Sequence, residues 1–177
     1  MTTAEYLASP ETVLPQELAY GVLRVGDAPL APHQFAVGRL HVALFSHLEA
    51  RRSGEVWLSP IDVILDGERA LVVQPDLLVV SEARRAIVQD RIRGAPDLMI
   101  EVLSPNPRVG TIAERLRWFA RYDVRECWLV HLLERRVEIV RFADGAIAAR
   151  DMFGPDDVIR SSVLEGFDRT LESILGW

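Results

Sequence analysis

The sequence contains no lysine, since all 20 of its basic residues are arginine. Any mechanism that needs a lysine ammonium group is therefore excluded. The single cysteine, Cys127, excludes an internal disulfide and leads us to expect a cytoplasmic protein. No run of about 18 apolar residues is present, which argues against a membrane-spanning helix and a membrane partner.

What is present is the composition of an ordinary folded domain. The 177 residues are 49% hydrophobic and 26% charged, with a net charge of −6. This length predicts a single domain over residues 1–177, with residues 1–15 as a loose N-terminal lead-in. The acidic net charge disfavours nonspecific coating of nucleic acid, although a local basic cleft is compatible with it.

Helical and strand-like patterns alternate along the chain. Apolar spacing predicts helices over residues 32–52, 111–122 and 167–175. Strand patterns cover residues 17–25, 55–58, 61–65, 70–80, 98–103, 127–133 and 137–142. Pro75 removes a donor within the run at 70–80, so we expect a bulge, a bend or a sheet edge there. The strands at 98–103 and 127–133 flank one helix with short connections, so we expect them to run parallel. The order of elements predicts an α/β fold, a mixed β-sheet flanked by helices.

Two carboxylates stand where the strand pattern predicts burial. Glu101 interrupts the apolar run at 98–103, and Asp76 follows Pro75 within 70–80. A buried ionised carboxylate is costly unless it is paired, protonated or bound to a metal. On neighbouring strands the two can converge on one Mg²⁺ ion, which prefers one or two carboxylates with water and phosphate oxygens. The alternatives for Glu101 are a side chain that leaves the core at the end of the sheet or one that pairs with an arginine. The alternative for Asp76 is a bend at which the aspartate bonds its own backbone.

Three other residues are candidates near these carboxylates. Arg115 lies at the edge of the apolar stripe of its helix, so its side chain either reaches inward or stays at the surface. Asp97 also follows a proline, but it lies four residues and so about 13 Å before Glu101 along the strand. That distance is too long for a shared metal and predicts a role at the start of the strand. His33 lies at the start of a helix. It is a candidate for the site, and the alternative is a capping or surface role.

Arginines also cluster along the second half of the chain. The cluster contains Arg84, Arg85, Arg91, Arg93, Arg108, Arg115, Arg117, Arg121 and Arg125. Such a surplus can steer a phosphate backbone toward a site. The alternative is a solvated surface of mixed charge, because acidic residues are interspersed.

Several sequence blocks resemble the Uma-type restriction endonucleases of the PD-(D/E)XK nuclease superfamily. The main blocks read QPDL at residues 74–77, GAPDLMIEVLSP at 94–105 and RECWLV at 125–130. Weaker matches at 17–21, 33–40, 157–158 and 164–167 extend the resemblance over nearly the whole chain. The resemblance implies a restriction-endonuclease-like fold and hydrolysis of DNA phosphodiester bonds with Mg²⁺ or Mn²⁺. It also implies a homodimer, since nucleases of this kind commonly act as symmetric pairs.

The resemblance implies roles for individual residues. Asp76 and Glu101 match the carboxylates that hold the metal, together with the backbone carbonyl of Val102. In this family a lysine on the following helix takes part in catalysis, and Arg115 stands at its position. The assisting candidates are Glu17, His33 and Asp97.

The sequence departs from the family pattern around these carboxylates. Arg115 can stabilise phosphate charge, but it is a poor proton acceptor. Further departures fall at Thr111, Phe119, Asp123, His131 and residues 20–22. The alternative hypothesis is therefore a catalytically degenerate member that binds DNA or serves in protein assembly. Replacing Arg115 with lysine is the discriminating test. If the arginine has disabled an enzyme, the lysine variant should cut; if the protein is not an enzyme, neither form should cut.

Overall fold

Two β-sheets with helices packed against them make up the protein, as a computed structural model shows. The structure describes residues 1–10, 12, 14–103 and 111–176. The helices are α1 (Thr3–Leu7), α2 (Ala31–Arg51), α3 (Ile112–Arg121) and α4 (Leu171–Leu175), with a 3₁₀ helix at Glu82–Ile87. The strands are β1 (Gln16–Ala19), β2 (Val22–Val25), β3 (Gly54–Leu58), β4 (Val63–Asp66), β5 (Leu71–Val73), β6 (Leu77–Ser81), β7 (Ile92–Arg93), β8 (Leu98–Leu103), β9 (Glu126–His131), β10 (Arg136–Ala143) and β11 (Ala146–Phe153).

The larger sheet has the strand order β11-β10-β9-β8-β6-β3, and the smaller has β2-β1-β5-β4-β7. The expected parallel pairing of β8 with β9 is confirmed, with Leu98 opposite Glu126 and Leu103 opposite His131. The mixed α/β arrangement predicted from the pattern is confirmed as well. Among the described residues, no helix is long and apolar enough to cross a membrane.

The strand predicted over residues 70–80, with a bulge, bend or edge at Pro75, is two strands, because the chain changes sheets at this proline. β5 pairs with β1 and β4 in the smaller sheet, whereas β6 pairs with β3 and β8 in the larger one. Pro75 lies at the crossover, where it has no N–H to donate to either ladder. The crossover leaves Asp76 at the junction of the two sheets.

A short helix, α1, lies within residues 1–15, for which a loose lead-in was predicted. Thr2 and Glu5 form a capping box at the start of α1. Tyr6 is buried, and its hydroxyl donates a hydrogen bond of 2.9 Å to Asp62. The strand predicted at 17–25 is likewise a hairpin of β1 and β2, which turns at Tyr20 and Gly21 with positive φ at both. The S/T-x-x-E pattern at residues 2–5 was the sequence signal for the helix.

The alternation of side chains along β8 decides which face carries chemistry. Leu98, Ile100 and Val102 face the apolar cluster that includes α2 and α4 residues. Met99 faces the other cluster, which includes α3 residues and the smaller sheet. Because successive strand side chains alternate, Glu101 points to this second side.

Candidate active site at the junction of the two sheets

Asp76 and Glu101 lie side by side at one end of the larger sheet. In the antiparallel pairing of β6 with β8, Leu77 opposes Ile100, and the same register one residue further sets Asp76 opposite Glu101. The Oδ2 atom of Asp76 accepts a hydrogen bond of 2.8 Å from the backbone N–H of Val102. The structure thus brings together the two carboxylates that the sequence singled out 25 residues apart.

Arg115 reaches inward from the first turn of α3 and contacts two carboxylates. Its Nε and Nη2 donate to Oε1 of Glu101 at 3.0 and 2.5 Å, and its Nη1 donates to Oε1 of Glu17 at 2.5 Å. The arginine is only 4% exposed. The surface position left open by the sequence is therefore excluded, and the arginine partner considered for Glu101 is present.

Glu17 ties the smaller sheet to the site. It lies on β1 and is 2% exposed, and its Oε1 accepts a hydrogen bond of 2.8 Å from the backbone N–H of Gln74. Its Oε2 is buried and has no hydrogen-bond partner among the described residues. A buried carboxylate oxygen without a donor is unusual, because such groups are nearly always satisfied.

His33 approaches Asp76 from the first turn of α2. Its Nε2 lies 3.1 Å from Oδ2 of Asp76. An ionised carboxylate can only accept hydrogen bonds, so the Nε2–H of His33 is the donor. The imidazole is 3% exposed, and its Nδ1 is buried with no partner in the described part of the chain. The position at the helix start thus serves the Asp76 carboxylate, which the capping alternative does not explain.

The electrostatics of the site are set by burial and by crowding of carboxylates. Burial raises the pKa of Glu101 to about 7; the guanidinium of Arg115 opposes this, and the carboxylates of Asp76 and Glu17 add to it. Burial lowers the pKa of Arg115, but its two carboxylate partners raise it more, so it lies above its ordinary value. Arg115 therefore remains a cation and cannot serve as the proton acceptor.

Asp97 lies at the opposite end of β8 from Glu101 and takes part in a different network. It is 1% exposed and accepts a hydrogen bond of 2.8 Å from the backbone N–H of Ser81. The guanidinium groups of Arg84 and Arg125 lie 3.5 and 3.2 Å from its Oδ1. These contacts hold the start of the strand in place and keep Asp97 out of the carboxylate site.

The arginine cluster is largely neutralised by neighbouring carboxylates. The ion pairs are Arg84 with Asp97 and Asp123, Arg85 with Glu55 and Glu82, Arg91 with Asp62, Arg93 with Asp90, and Arg125 with Asp97. Arg108 lies outside the described residues. The paired arginines match a surface of mixed charge better than a basic groove.

Sequence reasoning missed the part played by Gln74. Its side chain accepts from the backbone N–H of Gln16 at 3.1 Å and donates to Asp62 at 2.9 Å, while its own N–H holds Glu17. These hydrogen bonds hold the crossover between the sheets in place and so position Asp76, two residues further along the chain. The only signal in the sequence was its place directly before Pro75 and Asp76.

Sequence reasoning also missed Glu126, which is fully buried. It accepts hydrogen bonds from the Trp128 indole and from Ser161 and Ser162. It anchors the C-terminal segment and has no contact with the site. A carboxylate at the head of an apolar run was the available signal.

The donor set suits a hard divalent cation. No group of three or more His, Cys, Asp and Glu side chains is arranged to hold a metal within the described ranges. Mg²⁺, however, takes one or two protein carboxylates and completes its shell with water and phosphate oxygens. Asp76 and Glu101 supply that pair, and the unsatisfied Oε2 of Glu17 adds negative charge beside it. The residues present therefore fit Mg²⁺ or Mn²⁺.

Comparisons with known proteins agree with this architecture. The model of the Uma2 family, described as "Putative restriction endonuclease", matches residues 3–172. A crystal structure described as a "putative nuclease belonging to DUF820" from Anabaena variabilis superposes with a TM-score of 0.83 at 19% identity. The match covers 100% of this chain and 98% of that one, which shows a shared fold. No curated protein matches the chain.

Proposed function

We propose that this chain, which belongs to the Uma2 family, is a metal-dependent nuclease that hydrolyses phosphodiester bonds of DNA. Asp76, Glu101 and the backbone carbonyl of Val102 would hold a Mg²⁺ or Mn²⁺ ion. The observation that carries the proposal is the hydrogen bond from the Val102 N–H to Asp76, which places this carboxylate beside Glu101. When bound, the ion supplies an activated water and stabilises charge on the scissile phosphate.

Arg115 is the residue that we assign to the phosphate. A guanidinium has five N–H donors, and three of those on Arg115 are directed at Glu101 and Glu17. The remaining two are left for a phosphate oxygen, which a planar guanidinium binds well. Since Arg115 stays protonated, its contribution is charge stabilisation and it takes no proton from water.

His33 and Glu17 are positioning residues in this proposal. The Nε2–H of His33 donates to Asp76 and restricts the rotation of that carboxylate. Glu17 holds one Nη of Arg115 and so limits where the guanidinium can point. Asp97 has no part in the reaction, because its contacts lie at the other end of β8.

The first test is metal binding, because it does not depend on finding the right substrate. We expect Mn²⁺ titrated by calorimetry to bind the wild-type protein and to bind Glu101→Gln at least tenfold more weakly. Glu134→Gln is the matched control, since that glutamate is 53% exposed and belongs to a turn. Equal Mn²⁺ affinity of wild type and Glu101→Gln would overturn the site assignment.

The second test is nicking of supercoiled plasmid with Mg²⁺ or Mn²⁺. We expect cutting by the wild type and none by Glu101→Gln purified in the same way. Equal cutting by both would indicate a contaminant and count against the proposal. Run beside the calorimetry, this assay separates a protein that binds metal without cutting from one that does neither.

A second candidate function is a catalytically degenerate module that binds nucleic acid or serves in assembly. The observation that favours it is the double ion pair of Arg115, which compensates Glu17 and Glu101 without a metal. Arg115→Lys distinguishes the two, because a lysine restores the family's usual residue at this position. Cleavage by the wild type would favour the nuclease, cleavage by Arg115→Lys alone would favour an enzyme disabled by the arginine, and cleavage by neither form would favour the module.

We also propose that the nuclease works in the cytoplasm as a homodimer. Its single cysteine, Cys127, is buried and free, which suits a reducing compartment. A two-fold pair presents two identical sites with opposite polarity, as the two strands of a DNA duplex require.

A further inference from the structure

The outward face of α2 is apolar, although it is exposed to solvent. Phe35, Val42 and Phe45 are 59%, 61% and 52% exposed, and they follow one another along the same side of the helix. From residue 31 to residue 50, only Arg39 and Glu49 are both charged and exposed. The guanidinium of Arg39 folds back to donate to the backbone carbonyl of Ile174. Exposed helix faces are normally polar, so this stripe indicates a contact surface.

Gly38 lies in the middle of this stripe, between Phe35 and Val42. A Cβ atom built at Gly38 would meet nothing within 4 Å, so no neighbour in its own chain requires the glycine. Glycine in a helix interior is among the least favourable residues. A notch of this kind permits close approach by a side chain from another helix, as small residues do where two helices cross.

The spacing of the stripe is complementary to itself. Suppose that two copies of α2 pack antiparallel by their outward faces, with the two-fold axis at the level of residue 40. Residues of the two copies then meet where their numbers add up to 80. Phe35 then meets Phe45 of the partner subunit, and the Gly38 notch receives Val42 of the partner subunit. Each apolar side chain thus finds an apolar partner, and the same pairs occur twice, as a two-fold interface requires.

The charges at the helix ends also match in this arrangement. The N-terminus of α2 has no side-chain cap and no acidic residue of its own in its first turn, so the positive end of the helix dipole can accept a further anion. Glu49, near the other end of the helix, meets Ala31 of the partner subunit in the same register. Each copy therefore supplies an anion to the N-terminus of the other.

We infer that a second copy of this chain packs antiparallel on α2 through Phe35, Gly38, Val42 and Phe45. This inference names the surface of the homodimer in the proposed function and rests on that part of it. The three apolar side chains expose on the order of 300 Å² per chain. A groove of about 230 Å³ lined by Phe45, Leu48, Glu49 and Trp57 adds area where Phe35 of the partner subunit arrives. Since stable interfaces bury about 1,200–2,000 Å² in total, a dimer of this size should dissociate on dilution.

The test is sedimentation equilibrium of the full chain from low to high micromolar concentration. We expect a reversible monomer–dimer equilibrium, weakened tenfold or more by Phe45→Arg and by Gly38→Leu. Gly38→Leu is informative because it fills open space and raises helix propensity, so the thermal midpoint of dilute protein should not fall. The control is Leu133→Arg, whose side chain is 81% exposed in a turn and should leave association unchanged.

The outcomes separate the parts of the proposal. A wild-type protein that stays monomeric over the whole range overturns both the homodimer and this interface. A dimer that both Phe45→Arg and Gly38→Leu leave intact overturns the interface alone. The metal and nicking assays are unaffected by either outcome, because they report on Asp76 and Glu101.

Discussion

Removal of the Arg115 guanidinium should be strongly destabilising. The change Arg115→Met keeps much of the apolar stem but leaves Glu17 and Glu101 buried without their common cation. Breaking a buried ion pair by removal of one partner costs about 3–5 kcal/mol. Domains of this kind have about 5–15 kcal/mol in all, so the variant should fold with a much lower urea midpoint. The control is Arg117→Met on the exposed side of α3, expected within about 0.5 kcal/mol of wild type.

The loss of stability in Arg115→Met should depend on pH, because Glu101 becomes neutral when it takes up a proton. Its pKa is raised to about 7 in the folded protein, above the ordinary value of 4.5, so the folded state binds the extra proton between these values. This contribution to stability is present at low pH and is lost as pH rises through 7. Arg115 lowers the pKa of Glu101, so without it the loss extends to higher pH. The stability difference between wild type and Arg115→Met should therefore grow between pH 6 and 8.

Urea unfolding at several pH values measures this difference, and a double-mutant cycle tests its cause. Adding Glu101→Gln to Arg115→Met removes the uncompensated charge and should recover part of the lost stability at pH 8. A loss below about 1 kcal/mol, or one that Glu101→Gln does not reduce, would refute the reasoning that the ion pair is buried and essential.

Two further substitutions test the structural roles assigned away from the site. Asp97→Asn should lower the free energy of unfolding by about 1–3 kcal/mol, because the backbone N–H of Ser81 and the partly exposed Arg84 and Arg125 lose a buried charged acceptor, while Mn²⁺ affinity stays at the wild-type value. A parallel loss of Mn²⁺ affinity would place Asp97 in the metal site after all. Gly54→Ala should destabilise by at least about 1–3 kcal/mol, since φ is +156° and a Cβ would lie 2.4 Å from the carbonyl oxygen of Val80. Calorimetric melting measures this change, and an unchanged midpoint would contradict the close approach of the two strands.

Local pattern was enough to find the long elements and the two central carboxylates. The predicted helices at 32–52 and 111–122 agree with α2 and α3 to within one residue at each end, because apolar residues recur at helical intervals in both. The β8-α3-β9 unit followed from connection length and chain handedness. Asp76 and Glu101 stood out because a charge in an apolar strand has a cost that needs a compensating partner.

The division into two sheets was beyond the sequence, because it depends on which strands pair across long separations. The apolar run at 70–80 is interrupted by Gln74, Pro75 and Asp76, a pattern as consistent with one bent strand as with two. Only the partners of β5 and β6 distinguish them. The helix α1 was not predicted, because a helix of five residues depends for its stability on tertiary contacts, here those of Tyr6.

The sequence by itself determined that carboxylates, arginine and histidine of the right types are present, and that no lysine can take part. Only the tertiary structure decided that Arg115 points inward to Glu17, 98 residues away, and that His33 meets Asp76 across 43 residues. A side chain at the edge of a helix stripe has two directions open to it. The direction of Arg115 is set by carboxylates that distant segments bring within hydrogen-bond distance. The local spacing of residues carries no information about those segments.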